Sequence, residues 1–339
     1  ARRNPALASL TAALLVLSML VGTAAILFRR DIVNGNMQEA ALAAQVIGEQ
    51  LGELRQEVAQ IATAPSLAAL LGTFEQTGNP AALESFLDGQ RAFSDDGGAQ
   101  WLGEAKHFHS LNLFGPDGTI IARSPPSEGQ YEGTYQGRDY FAGAMALPPD
   151  GNPYISMIYD SRTDSSPTSR DKFGISLPID RPDGSRCVLM ASVPTTASST
   201  LSGFGRNVVL IGRRDPTNQL RDKFGWLVIA HPSFGSESEA IGIPELSIPE
   251  SQVPGGKGFY FDPASSTHPR YSGPWLAGSA WAEAGKLIVI VQTRDRVTNA
   301  LVAAAAVAGA AGFGLIFARI LRRRRGAPDR PASTKSGQS

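Results

Sequence analysis

The sequence predicts an α+β architecture: two membrane-spanning helices flanking a long helix and two antiparallel-sheet modules. Three observations predict it. Each end of the 339-residue chain holds a long uncharged stretch bordered by arginines. A helix-period apolar stripe follows the first stretch with no loop signal between them. From His107 onward the chain breaks into short apolar runs between Gly, Pro and Asp turns, the pattern of strands. Only 18% of residues are charged, against about 25% in typical soluble domains, and the two uncharged stretches carry most of that deficit.

Pro5 to Phe28 is 24 residues without a charge, between Arg2-Arg3 and Arg29-Arg30. A transmembrane helix needs about 20 apolar residues, and the apolar region of a cleaved signal peptide is shorter, about 7–15. Val297 to Ala318 is a second such stretch of 22 residues, followed by Arg319 and the run Arg322 to Arg325. Those arginines favour a stop-transfer anchor over a buried Ala-rich helix. The positive-inside bias then puts both termini in the cytoplasm and residues 29–296 outside, as a two-pass protein of the inner membrane. Arg29 and Arg30 run against that bias, although Asp31 follows them directly. The two flanks hold nine cations and one anion, which leaves 22 cations against 30 anions in between. Basic flanks suit the anionic cytoplasmic leaflet. The second span is rich in Ala and Gly, including Gly309, Gly312 and Gly314. Small residues allow close helix approach in lipid, so the stripe is either a homodimer contact or a permissive anchor.

Residues 31–72 read as one long helix, with Ala41, Ala44, Val46, Ile47, Leu51, Leu54, Val58 and Ile61 on an apolar stripe. Pro65 should kink or restart it. A second helical run covers 80–93. The stretch His109 to Ser124 reads as two strands around Pro116-Asp117-Gly118, where Pro presets φ and Gly accepts a positive φ. A short helix over 135–147 follows. Further strands are expected at 152–159, 172–179 and 186–193, the last two joined as a hairpin at Pro182-Asp183-Gly184. A second strand set covers 207–212, 226–231, 259–262 and 277–293. Residues 232–256 read as a loop, and the polar tail 326–339 as disordered. The expected division is a flank at 1–4, a span at 5–28, and the long helix with a first module over 29–200. A second module follows over 201–296, then a span at 297–318 and a basic tail at 319–339.

Composition closes off several function classes. A single cysteine, Cys187, excludes an intrachain disulfide framework and a cysteine-based zinc site, and as a strand residue it should be buried and inert. His107 and His109 share a strand face, but two ligands do not make a metal site. No cofactor is implied. The balance of 31 Lys+Arg against 31 Asp+Glu argues against a nucleic-acid binder. No G-x-S-x-G elbow or other nucleophile–base pair at usable spacing supports a hydrolase.

Several segments together resemble the double Cache (PDC-type) extracytoplasmic sensor domains of bacterial transmembrane receptors. LFGPDGTIIARS is similar to that family's strand–turn–strand opening. Tyr135-Gln136-Gly137-Arg138-Asp139-Tyr140-Phe141 resembles the segment that starts the short helix under the ligand pocket. PYISMIYDS and ISLPIDRPDGSRCVLMASV are similar to the strands that follow, and WLVIAHP and KLIVIVQ to strands of the second, membrane-proximal module. The likeness covers most of residues 31–296. It implies PAS-like sheet modules, a small-molecule ligand and a signal passed through the bilayer by a receptor that pairs as a homodimer. RRNPALASL before the first span resembles the junction in certain bacterial membrane Ser/Thr protein kinases, where a cytoplasmic kinase domain precedes the span. That implies a linked kinase or other output domain outside this chain. These residues themselves carry no Gly-rich loop, HRD or DFG motif, so no kinase activity resides in them.

The resemblance places the ligand pocket on 135–176. There Arg138 can hold a carboxylate through two parallel hydrogen bonds, and Tyr135 and Tyr140 supply hydroxyls and ring faces. Tyr154 and Ser156 share one strand face, as do Lys172, Gly174 and Ser176, and these strands are expected to line the pocket. Each has a rival reading: Arg138 in a salt bridge to Asp139 or Asp160, and Tyr140 as plain core. Amino-acid-binding members of the family carry Arg-x-Trp where this chain has Arg138-Asp139-Tyr140, which favours a small carboxylate over an amino acid. The alternative to a sensor is a structural or scaffolding membrane protein whose exterior binds a protein partner. A cavity beside Arg138 separates the two.

Overall fold

The structure, a computed structural model, describes residues 5–93, 108–126, 133–148, 151–160, 171–181, 183–195, 207–217, 225–232, 247–248, 256–266 and 269–325. Two compact units emerge: one from Val33 to Arg294, the other from the chain ends, Ala1–Ile32 with Asp295–Ser339. His107, Pro182, most of the 232–256 loop and the 326–339 tail lie outside the described residues, as does the flank 1–4.

In the terminal unit, the first part of helix α1 (Pro5–Ala62) meets the last helix, α5 (Arg296–Arg325). Both are long and apolar enough to cross a membrane. Their outward faces carry Met19, Leu20, Ile26, Val307, Phe313 and Phe317, all exposed. An uncovered apolar surface of this kind suits lipid rather than water. The helices touch through small groups. The Ser18 hydroxyl donates to the Ala305 carbonyl at 2.7 Å. A Cβ at Gly309 would meet Ser18 at 3.0 Å, and one at Gly312 would meet Leu15 at 3.1 Å. Asp295 caps α5, accepting from Thr298 N at 3.1 Å. It also accepts from Arg29 Nε at 2.8 Å, and Arg29 Nη2 reaches Asn299 Oδ1 at 2.9 Å. Arg29, anomalous under the positive-inside bias, is therefore neutralised by an acid from the other end of the chain.

The other unit is organised by the remainder of α1. Ala40, Ala43, Ala44, Ile47, Leu51, Leu54, Val58 and Ile61 form its buried stripe, at the three- and four-residue spacing of one helix face. The helix ends at Ala62, and Pro65 opens α2 (Pro65–Thr77) from its first position, where a missing N–H costs nothing. Gly78, at φ 67°, closes α2 with its N–H on the Phe74 carbonyl. Helix α3 is Ala81–Phe93.

The first sheet contains β1 (Ser110–Phe114), β2 (Ile120–Ser124), β3 (Tyr154–Ile155), β4 (Tyr159–Asp160), β5 (Asp171–Asp180) and β6 (Arg186–Pro194). Its order is β2-β1-β6-β5-β3, with β4 also pairing β5, and every pair is antiparallel. The second sheet contains β7 (Val208–Arg213), β8 (Trp226–Ala230), β9 (Ser247–Ile248), β10 (Lys257–Phe261), β11 (Pro274–Glu283) and β12 (Leu287–Arg294) in the order β10-β11-β12-β7-β8-β9. Side chains alternate between faces with period two. Leu111, Leu113, Leu189 and Ala191 of the first sheet share one core with the α1 stripe, as do Val208, Leu210, Leu287, Val289 and Val291 of the second. The intervening Val209, Ile211, Ile288 and Ile290 point into a separate core on the opposite face.

Three segments of the sheets differ from the sequence expectation. The run 152–159 is two short strands, because side chains take over the ladder between them. Ser156 Oγ donates to the Met157 carbonyl and accepts from Gly174 N, and Met157 N turns to Asp139. The run 277–293 is the hairpin β11–β12, turned at Gly285 with φ 73°. Ser247-Ile248, inside the expected loop, forms β9 against β8. Cys187 is fully buried in β6, and burial pushes its thiol up to about 11. That supports the inert role expected for it.

Strand β11 passes so close to α1 that a Cβ at Gly278 would lie 2.3 Å from Met37 N, a backbone atom. Gly278→Ala should therefore cost about 1–3 kcal/mol or more, as overpacking does. Gly52, on α1 with nothing within 4 Å of its virtual Cβ, should gain about 0.5–1 kcal/mol on replacement by Ala. Thermal unfolding of the detergent-solubilised chain checks both. Equal effects would show that the close approach is not a constraint.

Candidate functional site: a cation-lined cavity on the first sheet

The face of the first sheet turned away from α1 is covered by helix α4 (Asp139–Met145). The sequence expects a longer helix over 135–147, but residues 135–138 form a turn instead, with Arg138 N on the Tyr135 carbonyl at 3.0 Å. The β1–β2 turn holds that segment in place. Asp117 accepts from Thr119 N and Oγ1, at 3.1 and 2.7 Å, and Gly118 takes φ 74°. The Gly118 carbonyl then accepts from Tyr135 N at 2.9 Å. A Cβ at Gly118 would lie 2.7 Å from Gln136 N, so glycine is required there for contact as well as for φ.

Between sheet and helix lies a small cavity that opens to solvent on one side. Its floor is made by alternate residues of neighbouring strands: Ser110, Asn112 and Phe114 of β1, Met190 and Ser192 of β6, and Arg123 of β2. The register agrees, with Asn112 opposite both Arg123 and Met190. Tyr135, Arg138 and Tyr140 close it from the α4 side, and Tyr159 and Asp160 of β4 from beyond β5. The aromatic rings pack as a group. Phe114 lies 5.2 Å from Tyr135 and 5.8 Å from Tyr140, and Tyr140 lies 4.9 Å from Tyr159. Tyr159 and Ser192 share a hydrogen bond of 2.6 Å between their hydroxyls.

The charged groups are the distinguishing feature. Arg138 is 6% exposed and Arg123 8%. Arg138 Nη1 and Arg123 Nε have no hydrogen-bond partner among the described residues. Asp139 does not neutralise Arg138: its carboxylate accepts from Tyr154 Oη at 2.7 Å and Met157 N at 2.6 Å. A buried charged group lacking a partner is costly, so these donors suit an acceptor that arrives from outside. Burial raises the Tyr135 phenol above its ordinary value of 10, and the nearby Arg123 and Arg138 partly offset that rise. Burial holds the Tyr140 phenol well above the same value.

Of the residues expected at the site, the structure brings Arg138, Tyr135 and Tyr140 to the cavity. It puts the other four to different use. Tyr154 leaves the pocket for Asp139, with Lys286 Nζ 3.5 Å over its ring. Ser156 bridges the break between β3 and β4. Ser176 lies on the expected face, but its hydroxyl seats α4 through the Tyr140 carbonyl at 2.7 Å. Lys172 is buried opposite Tyr159 in the β4–β5 pair, outside the lining. Sequence reasoning missed Arg123, Asp160, Asn112 and Ser192. Arg123 stands in the LFGPDGTIIARS segment already singled out, and its cross-strand pairing across the turn is the signal that would have found it.

Asp139 fixes the start of α4. Besides its two side-chain contacts, its N–H faces Asp215 Oδ2 at 3.4 Å, just past β7. A bridge between Ile158 and Arg214 runs beside it, with Asp215 N on the Ile158 carbonyl at 2.7 Å. The Tyr154 phenol is pushed far up, first by burial and then by its bond to Asp139. Asp139→Asn removes a charge and an acceptor, so the Tyr154 phenol should titrate closer to 10 in an ultraviolet pH titration. Stability should fall by about 1–3 kcal/mol, the cost of leaving a buried donor unmet. An unchanged Tyr154 titration would show that the bond is not held in solution.

No protein-family model matches the chain, and no curated protein matches it. Solved structures similar to it are ligand-binding domains of chemoreceptors. The ligand-binding domain of the Pseudomonas fluorescens chemoreceptor CtaA, in complex with L-isoleucine, is 12% identical with a TM-score of 0.47, over 80% of this chain and 96% of that one. The corresponding domain of the Pseudomonas aeruginosa PAO1 amino acid chemoreceptor PctB, with L-Arg, is 13% identical with a TM-score of 0.46, over 78% and 96%. That of PctC from the same organism, with GABA, is 16% identical with a TM-score of 0.44, over 78% and 100%.

Proposed function

We propose that this protein is a membrane-anchored sensor that binds a small carboxylate-bearing molecule in the cavity of its first sheet. The observation that carries the reading is Arg138: a buried guanidinium at the start of a helix, facing a cavity, with an open donor at Nη1. A guanidinium recognises a carboxylate in a planar, two-bond geometry, and the surrounding tyrosines supply further donors and an apolar wall. The cavity favours this reading over that of a scaffold for a protein partner. The arrangement is one for binding rather than for catalysis.

Transmission follows from the bonds that leave the site. A ligand that draws on Arg138 acts on the first turn of α4, and Asp139 in that turn contacts Met157, Tyr154 and Asp215. Asp215 lies just beyond β7, β7 pairs with β12, and β12 leads through Asp295 into α5. A ligand shifts such a chain only by its differential affinity for two states. In this reading the second sheet relays the change to the membrane helix, with residues 29–296 outside the cytoplasm and the output delivered inside. A cytoplasmic Ser/Thr kinase as that output rests on the RRNPALASL junction.

The test is a thermal-shift screen of the full chain in detergent against small mono- and dicarboxylates, amino acids and amines. A carboxylate at 100 times its dissociation constant adds about 2.7 kcal/mol of stability. The expected hit is a carboxylate whose shift disappears in Arg138→Gln while the unliganded melting temperature stays close to wild type. A panel in which amines stabilise and carboxylates do not would overturn the reading.

A further inference from the structure

We infer that the cavity takes a ligand bearing two anionic groups, and that Arg123 holds the second of them. This rests on the reading of Arg138 as a carboxylate anchor and extends it.

Arg123 and Arg138 reach the cavity from different elements. Arg138 comes from the start of α4 and Arg123 from β2, the edge strand of the sheet. Arg123 shares the floor with its cross-strand partner Asn112. Both side chains line the same cavity, together with Tyr135. Each keeps a buried nitrogen with no acceptor among the described residues.

The described carboxylate of the lining, Asp160, stands across the sheet from Arg123. From β2 to β4 the order is β2, β1, β6, β5, β4, four spacings of about 4.8 Å, or roughly 19 Å between the backbones. Two guanidiniums against one carboxylate leave the described lining with one positive charge in excess. One carboxylate engages one guanidinium in a two-bond fork, and a monocarboxylate on Arg138 would leave Arg123 buried and unmet. A second carboxylate or phosphate on the same ligand satisfies it.

The test uses matched pairs that differ by one carboxylate: succinate with butyrate, glutarate with valerate, L-glutamate with L-glutamine. Titration calorimetry on the full chain in nanodiscs measures each. The expected result is that the acidic member of at least one pair binds about tenfold tighter or more. Arg123→Gln should bring the member with the extra carboxylate down to its partner and leave that partner within about twofold. Equal affinity within every pair that binds, with Arg138→Gln abolishing both members, overturns the inference and keeps the carboxylate reading. A protein that binds no member of any pair overturns both. The wild-type comparison decides the matter even if Arg123→Gln does not fold.

Discussion

One face of one helix carries the architecture between residues 33 and 294. The stripe from Ala40 to Ile61 is buried along its whole length, and both sheets spend one of their faces on it. Small residues at Ala40, Ala43 and Ala44 bring strands close to the helix axis, and the branched chains from Ile47 to Ile61 fill the wider part. Because a sheet alternates its side chains, the commitment of one face to α1 leaves the other free for something else. The two modules differ in what they do with that second face.

In the second sheet it closes on a polar centre. His231 Nε2 lies 2.9 and 3.0 Å from the two Asp262 oxygens, Asp262 also accepts from Ala264 N at 2.7 Å and from Gln292 Nε2, and Tyr271 stands edge-on to the imidazole at 4.8 Å. Carboxylate and imidazole meet each other's hydrogen-bonding needs inside the fold, as buried polar groups do. In the first sheet the corresponding face presents two arginines, and Asp139, next to Arg138 in the chain, is already committed to Tyr154 and Met157. The same topology therefore gives one core whose acid is met by hydrogen bonds from within the sheet and one cavity with cationic donors to spare.

Much of this was legible in the sequence, and the limits have physical causes. The spans, the long helix, the PDG turn and the segment from Tyr135 to Phe141 are local signals, set by run length, period and turn chemistry. Arg138, Tyr135 and Tyr140 were accessible because they sit on that segment. Tyr154 and Ser156 were assigned by strict alternation, which fails once Ser156 and Met157 turn their bonds away from the ladder. Lys172 and Ser176 lie on the expected face, but Ser176 supports the helix above and Lys172 stays outside the lining. Asp160 and Ser192 needed the pairing of strands far apart in sequence, which no local pattern states, whereas Arg123 was within reach of the hairpin it shares with Asn112. The Arg29 anomaly resolved the same way: its partner Asp295 is 266 residues downstream.

The close fit of Ser18 and Leu15 against Gly309 and Gly312 has a consequence for assembly. The glycine-rich side of α5, the side best suited to a neighbouring helix, is occupied by the chain's own α1. A second copy pairing within the bilayer would meet the bulkier flanks, where Met19, Leu20 and Ile26 on one helix and Val307, Phe313 and Phe317 on the other stand exposed. Such a pairing would rest on large, deformable side chains rather than on a glycine seam.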